Sequence, residues 1–71
     1  MSAREVEKLR NFLLRNGLNR AFDYRVLGRA ANLNYGDPQL LVKLNDVLEE
    51  LRSKGDISWF VLTGKTYWIQ R

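Results

Sequence analysis

The stretch VLEELRSKGDISWFVLTGKTYWI, residues 47–69, decides the fold of this chain. Its first part carries apolar residues at helical spacing and ends at Gly55, which is typical of the end of an amphipathic helix. Its second part contains two runs of β-branched and aromatic residues on either side of Gly64, which indicates a β-hairpin. The stretch therefore predicts a helix followed by a two-stranded antiparallel ribbon.

The hairpin is expected to turn through a type I turn and a glycine bulge, as many three-residue hairpin loops do. That register pairs Trp59 with Tyr67 and Ile57 with Ile69. Because side chains alternate between the two faces of a strand, the pairing also decides which residues face the core. The predicted inward residues are Ile57, Trp59, Val61, Tyr67 and Ile69.

The same register places Phe60 and Trp68 side by side on the outer face of the hairpin. The two rings either stack on each other or contact a partner, which is a second copy, another domain or an unstacked base. Aromatic residues are enriched at the cores of protein interfaces. We therefore interpret Phe60 and Trp68 as a protein contact.

The helix that enters the hairpin has the clearest pattern in the chain. Asp37 is expected to cap it and Pro38 to occupy its first position, because proline there loses no intrahelical hydrogen bond. Gly55 follows its last residue. Its predicted buried stripe is Leu40, Leu41, Leu44, Val47, Leu48 and Leu51.

A first helix is predicted in residues 2–17, SAREVEKLRNFLLRNG. Ser2 and Glu5 have the spacing of a capping box, and Gly17 has the position of a helix-ending glycine. Its predicted buried residues are Val6, Leu9, Phe12 and Leu13.

A second helix is predicted from Tyr24 to about Leu33, with Asp23 as its N-cap. The short run from Leu18 to Phe22 before it has the composition of a brief extended segment. The buried stripe of the second helix is expected to contain Val26, Leu27, Ala30 and Leu33.

Composition limits the function classes. Seventy-one residues fit one domain, residues 1–71, with a small core. The chain has no cysteine and no histidine, so we expect no disulfide framework, zinc cluster, thiolate nucleophile or bound cofactor. No run approaches the ~20 apolar residues of a membrane span, and no signal peptide is evident. We expect an intracellular protein without a membrane partner or a small-molecule substrate.

Catalysis is not expected. The tetrapeptide TGKT, residues 63–66, is similar to the end of a phosphate-binding P-loop, but that motif needs a second glycine at fixed spacing and a following helix. Gly55 is too far from Gly64, and no helical pattern follows Thr66. Glu49 and Glu50 point about 100° apart on a helix, so they do not form a catalytic pair. We therefore predict that the protein is not an enzyme.

The C-terminal half resembles the end of winged-helix domains. The residues that carry the resemblance are Leu48, Leu51, Lys54, Gly55, Ile57, Gly64, Tyr67 and Ile69. The order of elements is similar over nearly the whole chain. The resemblance implies an α+β fold, a three-helix bundle with a C-terminal β-hairpin wing (a winged helix-turn-helix), and a function in binding duplex DNA, RNA or other proteins.

In winged-helix domains, the N-terminal half of the third helix enters a major groove and the wing touches the DNA backbone. The resemblance therefore implies nucleic-acid contacts for Tyr35, Gln39, Lys43 and Lys65. Gln39 has the chemistry to read adenine, and Lys43 that to reach guanine or phosphate. The alternative is that both side chains simply solvate an exposed helix face.

Charge distribution suggests a second docking mode. The formal net charge is +4, and residues 1–35 contain seven Lys or Arg and three Asp or Glu, whereas residues 36–71 contain five of each. The positive excess therefore precedes the third helix. The cations that would contact phosphate in this mode are Arg4, Lys8, Arg15, Arg25 and Arg29. The alternatives are an acidic protein partner or a local pair for each arginine, such as Asp23 near Arg25.

These patterns lead to two hypotheses. The first is a nucleic-acid-binding module, with duplex DNA favoured over RNA and a role in transcription regulation or DNA metabolism. The second is a protein-interaction winged helix, or a homodimer, that uses the exposed aromatic residues of the hairpin. Binding by several cations weakens steeply with salt, so a salt titration separates the two.

Overall fold

The structure is a computed structural model that describes residues 3–71. Within that range the chain forms helices α1 (Ala3–Asn16), α2 (Tyr24–Ala30) and α3 (Leu40–Ser53), and strands β1 (Arg20–Asp23), β2 (Trp59–Thr63) and β3 (Thr66–Gln70). The strands form one antiparallel sheet in the order β1-β3-β2. The α+β prediction is confirmed, and the layout is compatible with a winged helix. The predicted cap at Ser2 lies outside the described residues.

The core lies between the three helices and the inner face of the sheet. Its buried apolar residues are Val6, Leu9, Leu13, Phe22, Leu27, Ala31, Leu40, Leu44, Val47, Leu48, Leu51, Ile57, Tyr67 and Ile69. The α3 stripe is confirmed except for Leu41, which is exposed at the edge of the stripe. In α1 the stripe is also confirmed, with Phe12 partly buried against Phe22.

Helix α2 is shorter than predicted. Asn32 has a left-handed φ of +61°, and the amide of Leu33 donates to the carbonyl of Gly28 at 2.8 Å. This is the hydrogen bond that closes a Schellman motif, and it ends the helix at Ala30. Val26 was expected in the core, but it is 46% exposed and Ala31 is buried instead. Gly28 allows α3 to approach α2 closely, since a Cβ at Gly28 would lie 3.1 Å from the side chain of Leu40.

The start of α3 also differs from the prediction. The carboxylate of Asp37 accepts from the amide of Gln39 at 2.8 Å, and the amide of Leu40 donates to the carbonyl of Asp37 at 3.0 Å. Asp37 therefore caps a turn that contains Pro38, and regular α-helix begins only at Leu40.

The predicted hairpin register is wrong. Thr63 pairs with Thr66, so the loop contains only Gly64 and Lys65. Gly64 has a φ of +63°, and the first position of a two-residue type II′ loop is the one that favours glycine. The shorter loop pairs Val61 with Trp68 and not Trp59 with Tyr67.

In this register, the residues of β2 that were predicted to face the core face outward, and those predicted to face outward face the core. Phe60 is partly buried against the core, and its ring lies 6.4 Å from that of Tyr67. Trp59 and Val61 are on the outer face with Trp68. The predicted exposure of Phe60 and burial of Trp59 and Val61 are therefore wrong. The outward position of Trp68 and the burial of Tyr67 and Ile69 are confirmed.

Tyr67 joins the sheet to α3. Its side chain is fully buried, and its hydroxyl donates a hydrogen bond of 2.7 Å to the Oδ1 of Asn45. Burial raises the pKa of the Tyr67 hydroxyl to about 12. The neutral phenol is thus the form that the folded protein favours.

The first prediction concerns the core. Leu48 has no exposed surface, so Leu48→Ala is expected to lower the free energy of unfolding by ~2–5 kcal/mol. Val42→Ala is the control, because Val42 lies on the same helix and is 55% exposed; we expect a change within ~0.5 kcal/mol. Chemical denaturation measures both values. Similar losses in the two variants would contradict the core assignment.

The second prediction concerns alkaline pH. An unfolded tyrosine has a pKa of about 10, so the raised pKa of Tyr67 stabilises the fold below pH ~10, and this contribution is lost as the pH rises through about 12. We compare wild type with Tyr67→Phe, because lysine titration affects both chains equally. At neutral pH the wild type is expected to be more stable by ~0.5–1.5 kcal/mol, the worth of one hydrogen bond. This difference in unfolding free energy should shrink between pH ~10 and ~12. A difference that stays constant would show that Tyr67 has the same pKa in the folded and unfolded chains.

Candidate nucleic-acid interface

Ion pairs within residues 3–71 neutralise the cations of α3. The pairs of the described chain are Arg10–Asp56, Arg25–Asp23, Lys43–Asp37, Arg52–Glu49 and Lys54–Glu50. Lys43 and Arg52 belong to α3, and Lys54 is its C-cap. The helix that the winged-helix resemblance places in the major groove therefore offers little free positive charge.

The exposed C-terminal half of α3 is acidic. Asp46, Glu49 and Glu50 line one shallow groove together with Ser53. Glu49 and Glu50 are paired with Arg52 and Lys54, so the three carboxylates and two cations leave a net charge of −1 at this end of α3, which repels a phosphate backbone. The third helix is thus a poor electrostatic match for a nucleic acid along this part of its length.

Helix α1 presents unneutralised cations. Lys8 and Arg15 line an open groove with Asn11, Leu14 and, from α2, Ala30. Neither cation has a carboxylate within salt-bridge distance in the described part of the chain. They are seven positions apart in the sequence, which is about 10 Å along a helix. The groove therefore offers two positive charges, with an amide between them, to an extended anion.

Helix α2 carries a second group of predicted contacts. Arg25, Arg29 and Tyr35 line a groove with Asp23 and Val26. The guanidinium of Arg29 donates to the Tyr35 hydroxyl at 2.9 Å and lies 5.6 Å from the centre of the ring. Tyr35 is a neutral partner, so it orients Arg29 without cancelling its charge.

Arg25 is held differently. The Oδ1 of Asp23 accepts from the backbone amide of Arg25 at 2.8 Å and from its Nε at 3.3 Å. These hydrogen bonds keep the pKa of the Asp23 carboxyl below its usual value. The local pair that the sequence left open as an alternative is present, and Arg25 accordingly offers less free positive charge than Arg29.

The hairpin loop lies beside the start of α2. The carbonyl of Lys65 accepts from the amide of Tyr24 at 2.9 Å, and Thr66 pairs with Asp23. The Lys65 charge also contributes to the lowered pKa of Asp23. The structure therefore brings Lys65 close to the N-terminal end of α2, where Arg25 lies.

The predicted base readers lie at the start of α3. Gln39 is exposed at the N-cap position and makes no side-chain capping bond. Lys43 forms an ion pair with Asp37. This ion pair, together with the hydrogen bond that Asp37 accepts from the Gln39 amide, keeps the pKa of the Asp37 carboxyl below its usual value. Gln39 is accessible to a ligand, whereas Lys43 must first leave its carboxylate.

The hairpin supplies surface residues that the sequence prediction missed. Trp59 and Val61 join Trp68 on the outer face of the sheet, whereas Phe60 does not. A signal for them was present in the sequence. Glycine followed by a polar residue is typical of a two-residue type II′ loop, and that loop yields the observed register.

A comparison of the chain with protein-family models, curated proteins and solved structures finds no match. Within residues 3–71, no helix has the length and apolar character needed to cross a membrane. The same residues include no cluster of metal-ligating side chains. The distribution of charge and aromatic surface is thus the basis for a functional proposal.

The third prediction tests the Asp37–Lys43 pair. Because the pKa of Asp37 is lowered in the folded state, the pair stabilises the protein above the unfolded pKa of about 3.9, and this contribution is lost as the pH falls through the folded value. Asp37→Asn keeps an acceptor for the Gln39 amide but removes the charge. Relative to wild type, we expect Asp37→Asn to have a lower free energy of unfolding at neutral pH, and we expect that free energy to fall less as the pH is lowered. Chemical denaturation from pH ~7 to ~3 measures both effects.

The control for this prediction is Asp46→Asn, which removes the same charge from an exposed position without an ion pair in the described chain. It is expected to change the pH dependence of the unfolding free energy less than Asp37→Asn does. Equal profiles for the two variants would show that the Lys43–Asp37 contact does not persist in solution.

Proposed function

We propose that this protein is a nucleic-acid-binding module that holds duplex DNA against a basic surface formed by α1, α2 and the hairpin loop. The basic surface consists of Lys8, Arg15, Arg29 and Lys65. The observation that carries the proposal is the difference in ion pairing between the cations of the basic surface and those of α3. These four cations have no carboxylate partner within residues 3–71, whereas Lys43, Arg52 and Lys54 are all paired.

Unpaired cations favour polyanions because neutralising phosphates releases condensed counterions. The internal pairs cancel equal numbers of charges, so they leave the net charge of +4 unchanged and confine the excess to other parts of the surface. Four phosphate contacts predict a slope of about −3.6 in a plot of log K against log salt. Binding through such contacts depends little on base sequence.

The proposal favours duplex DNA because the fold is compatible with a winged-helix layout. Tyr35, in the connection before α3, and Gln39, at the N-cap of α3, are exposed, and the proposal assigns them the contacts with base edges. The proposal assigns the chain no catalytic step and no cofactor, and the role it describes is intracellular.

The fourth prediction compares two double variants with the same change in net charge. Lys8→Ala with Arg15→Ala removes two cations of the basic surface, whereas Arg52→Ala with Lys54→Ala removes two paired cations. We expect the first variant to bind a mixed-sequence duplex more weakly than the second, with a salt slope smaller than wild type by about 1.8. Fluorescence anisotropy at several salt concentrations measures both quantities.

Equal losses in the two double variants would show that only net charge matters and would overturn the assigned surface. A greater loss for the second variant would place the ligand on α3. If the wild type fails to bind the duplex even at low salt, the proposed function is wrong.

A further inference from the structure

The outer face of the sheet carries an apolar patch that the proposed function does not use. Trp59, Val61 and Trp68 are 45%, 40% and 48% exposed, and they form what we call the aromatic face. Val61 lies directly opposite Trp68, and Ala21 of β1 is opposite Trp68 on its other side. The chain contains two tryptophans, and both are on this face.

The fold does not require this arrangement. The inner face of the sheet already packs on the helices through Tyr67, Ile69 and the partly buried Phe60. Half of each indole ring remains in water, on the order of 100 Å² per ring. Large exposed rings that are grouped on one face and serve no core are typical of an interaction surface.

The residues around the aromatic face are nearly uncharged. Thr63, Thr66 and Gln70 alternate with the apolar residues along β2 and β3, and Asp23 lies at the β1 end. Among the described strand residues, no Lys or Arg belongs to this face, because Arg20 is in register with the inward Ile69. A single-stranded nucleic acid would find rings for stacking but little free positive charge for its backbone, because Arg25 at the edge of the face is paired with Asp23 and only Lys65 of the hairpin loop lies nearby. This surface therefore fits a protein better.

We propose that the aromatic face packs against the same face of a second copy of this chain, forming a symmetric dimer. Each copy has a net charge of +4, so self-association through a basic surface would bring like charges together. A neutral face on the side of the sheet away from the helices avoids this repulsion. Sheets pack face to face at about 10 Å with interdigitated side chains, and half-exposed indoles are suited to fill that space.

The size of the patch indicates how strong the dimer is. Three strands of about five residues form a face of about 14 by 17 Å. Counted on both copies, this face covers about 480 Å², which is below the ~1,200 Å² or more that specific interfaces generally bury in total. The dimer is therefore expected to be weak and to dissociate on dilution.

The fifth prediction is tested with purified protein and no nucleic acid, so its outcome is independent of the proposed function. Sedimentation equilibrium over a dilution series should show an average mass that rises from 8.3 kDa towards twice that value. Because both tryptophans lie on the aromatic face, their fluorescence emission should shift to shorter wavelength over the same concentration range.

Val61→Lys is the main variant, because it places like charges at the centre of the proposed interface. Val42→Lys is the matched control, since it makes the same substitution at an exposed position on α3. We expect Val61→Lys to raise the dissociation constant at least tenfold and Val42→Lys to leave it nearly unchanged. Trp68→Ser provides a second test if Val61→Lys does not fold, as judged by circular dichroism, and it is expected to weaken the dimer to a similar extent.

Three results would overturn the proposal. One is a protein that stays monomeric at every concentration, and another is self-association that Val42→Lys weakens as much as Val61→Lys does. The third is growth beyond a dimer, which would indicate pairing through the open edge of β2. If the protein is monomeric and a single-stranded oligonucleotide quenches the tryptophan fluorescence, the aromatic face is a base-stacking surface.

Discussion

The buried side of α3 is the surface on which the rest of the structure depends. Leu44, Leu48 and Leu51 have no exposed area, and both α1 and α2 pack on this helix. Tyr67 ties the sheet to the same helix through its hydrogen bond to Asn45. A chain of this size buries only about 60% of its unfolded surface, so it cannot replace such a central contact elsewhere.

The outer surface of α3 carries little free positive charge. The helix keeps its exposed cations in local ion pairs and presents Asp46, Glu49 and Glu50 to solvent. Surface pairs contribute little to stability, usually ~0–1 kcal/mol, but they do determine where charge is available to a ligand. The cations of the basic surface stay free of such pairs in the described chain. The proposed docking of DNA on α1 and α2 follows from this division.

The basic surface and the aromatic face suit different partners. Phosphate contacts need exposed cations, and the basic surface supplies them from α1, α2 and the hairpin loop. Removal of indole rings from water needs an apolar surface without charge, and the outer side of the sheet provides it. A dimer through the aromatic face would present two basic surfaces to one duplex. The avidity of such a pair would exceed the affinity of one copy, provided that both surfaces reach the same DNA.

Much of the fold was predictable from local patterns. The leucine stripe of α3, the caps at Asp23 and Gly17, and the α+β order each depend on spacing within a few residues, and the structure confirms them. The candidate site was less predictable. Arg29 and Lys65 were named correctly as exposed cations, but nothing in the sequence showed that Tyr35 orients the first or that the second lies beside the start of α2.

The sequence by itself determined the helical periods, the presence of a hairpin turn at Gly64 and the surplus of cations in the first half of the chain. Only the tertiary structure decided which neighbouring ring of β2 faces inward. Strand side chains alternate with a period of two, so the choice between Trp59 and Phe60 depends on loop length and on which ring packs against Tyr67. Tertiary structure likewise decided which cations are neutralised, because a pair such as Arg10 with Asp56 joins residues that only the folded chain brings together.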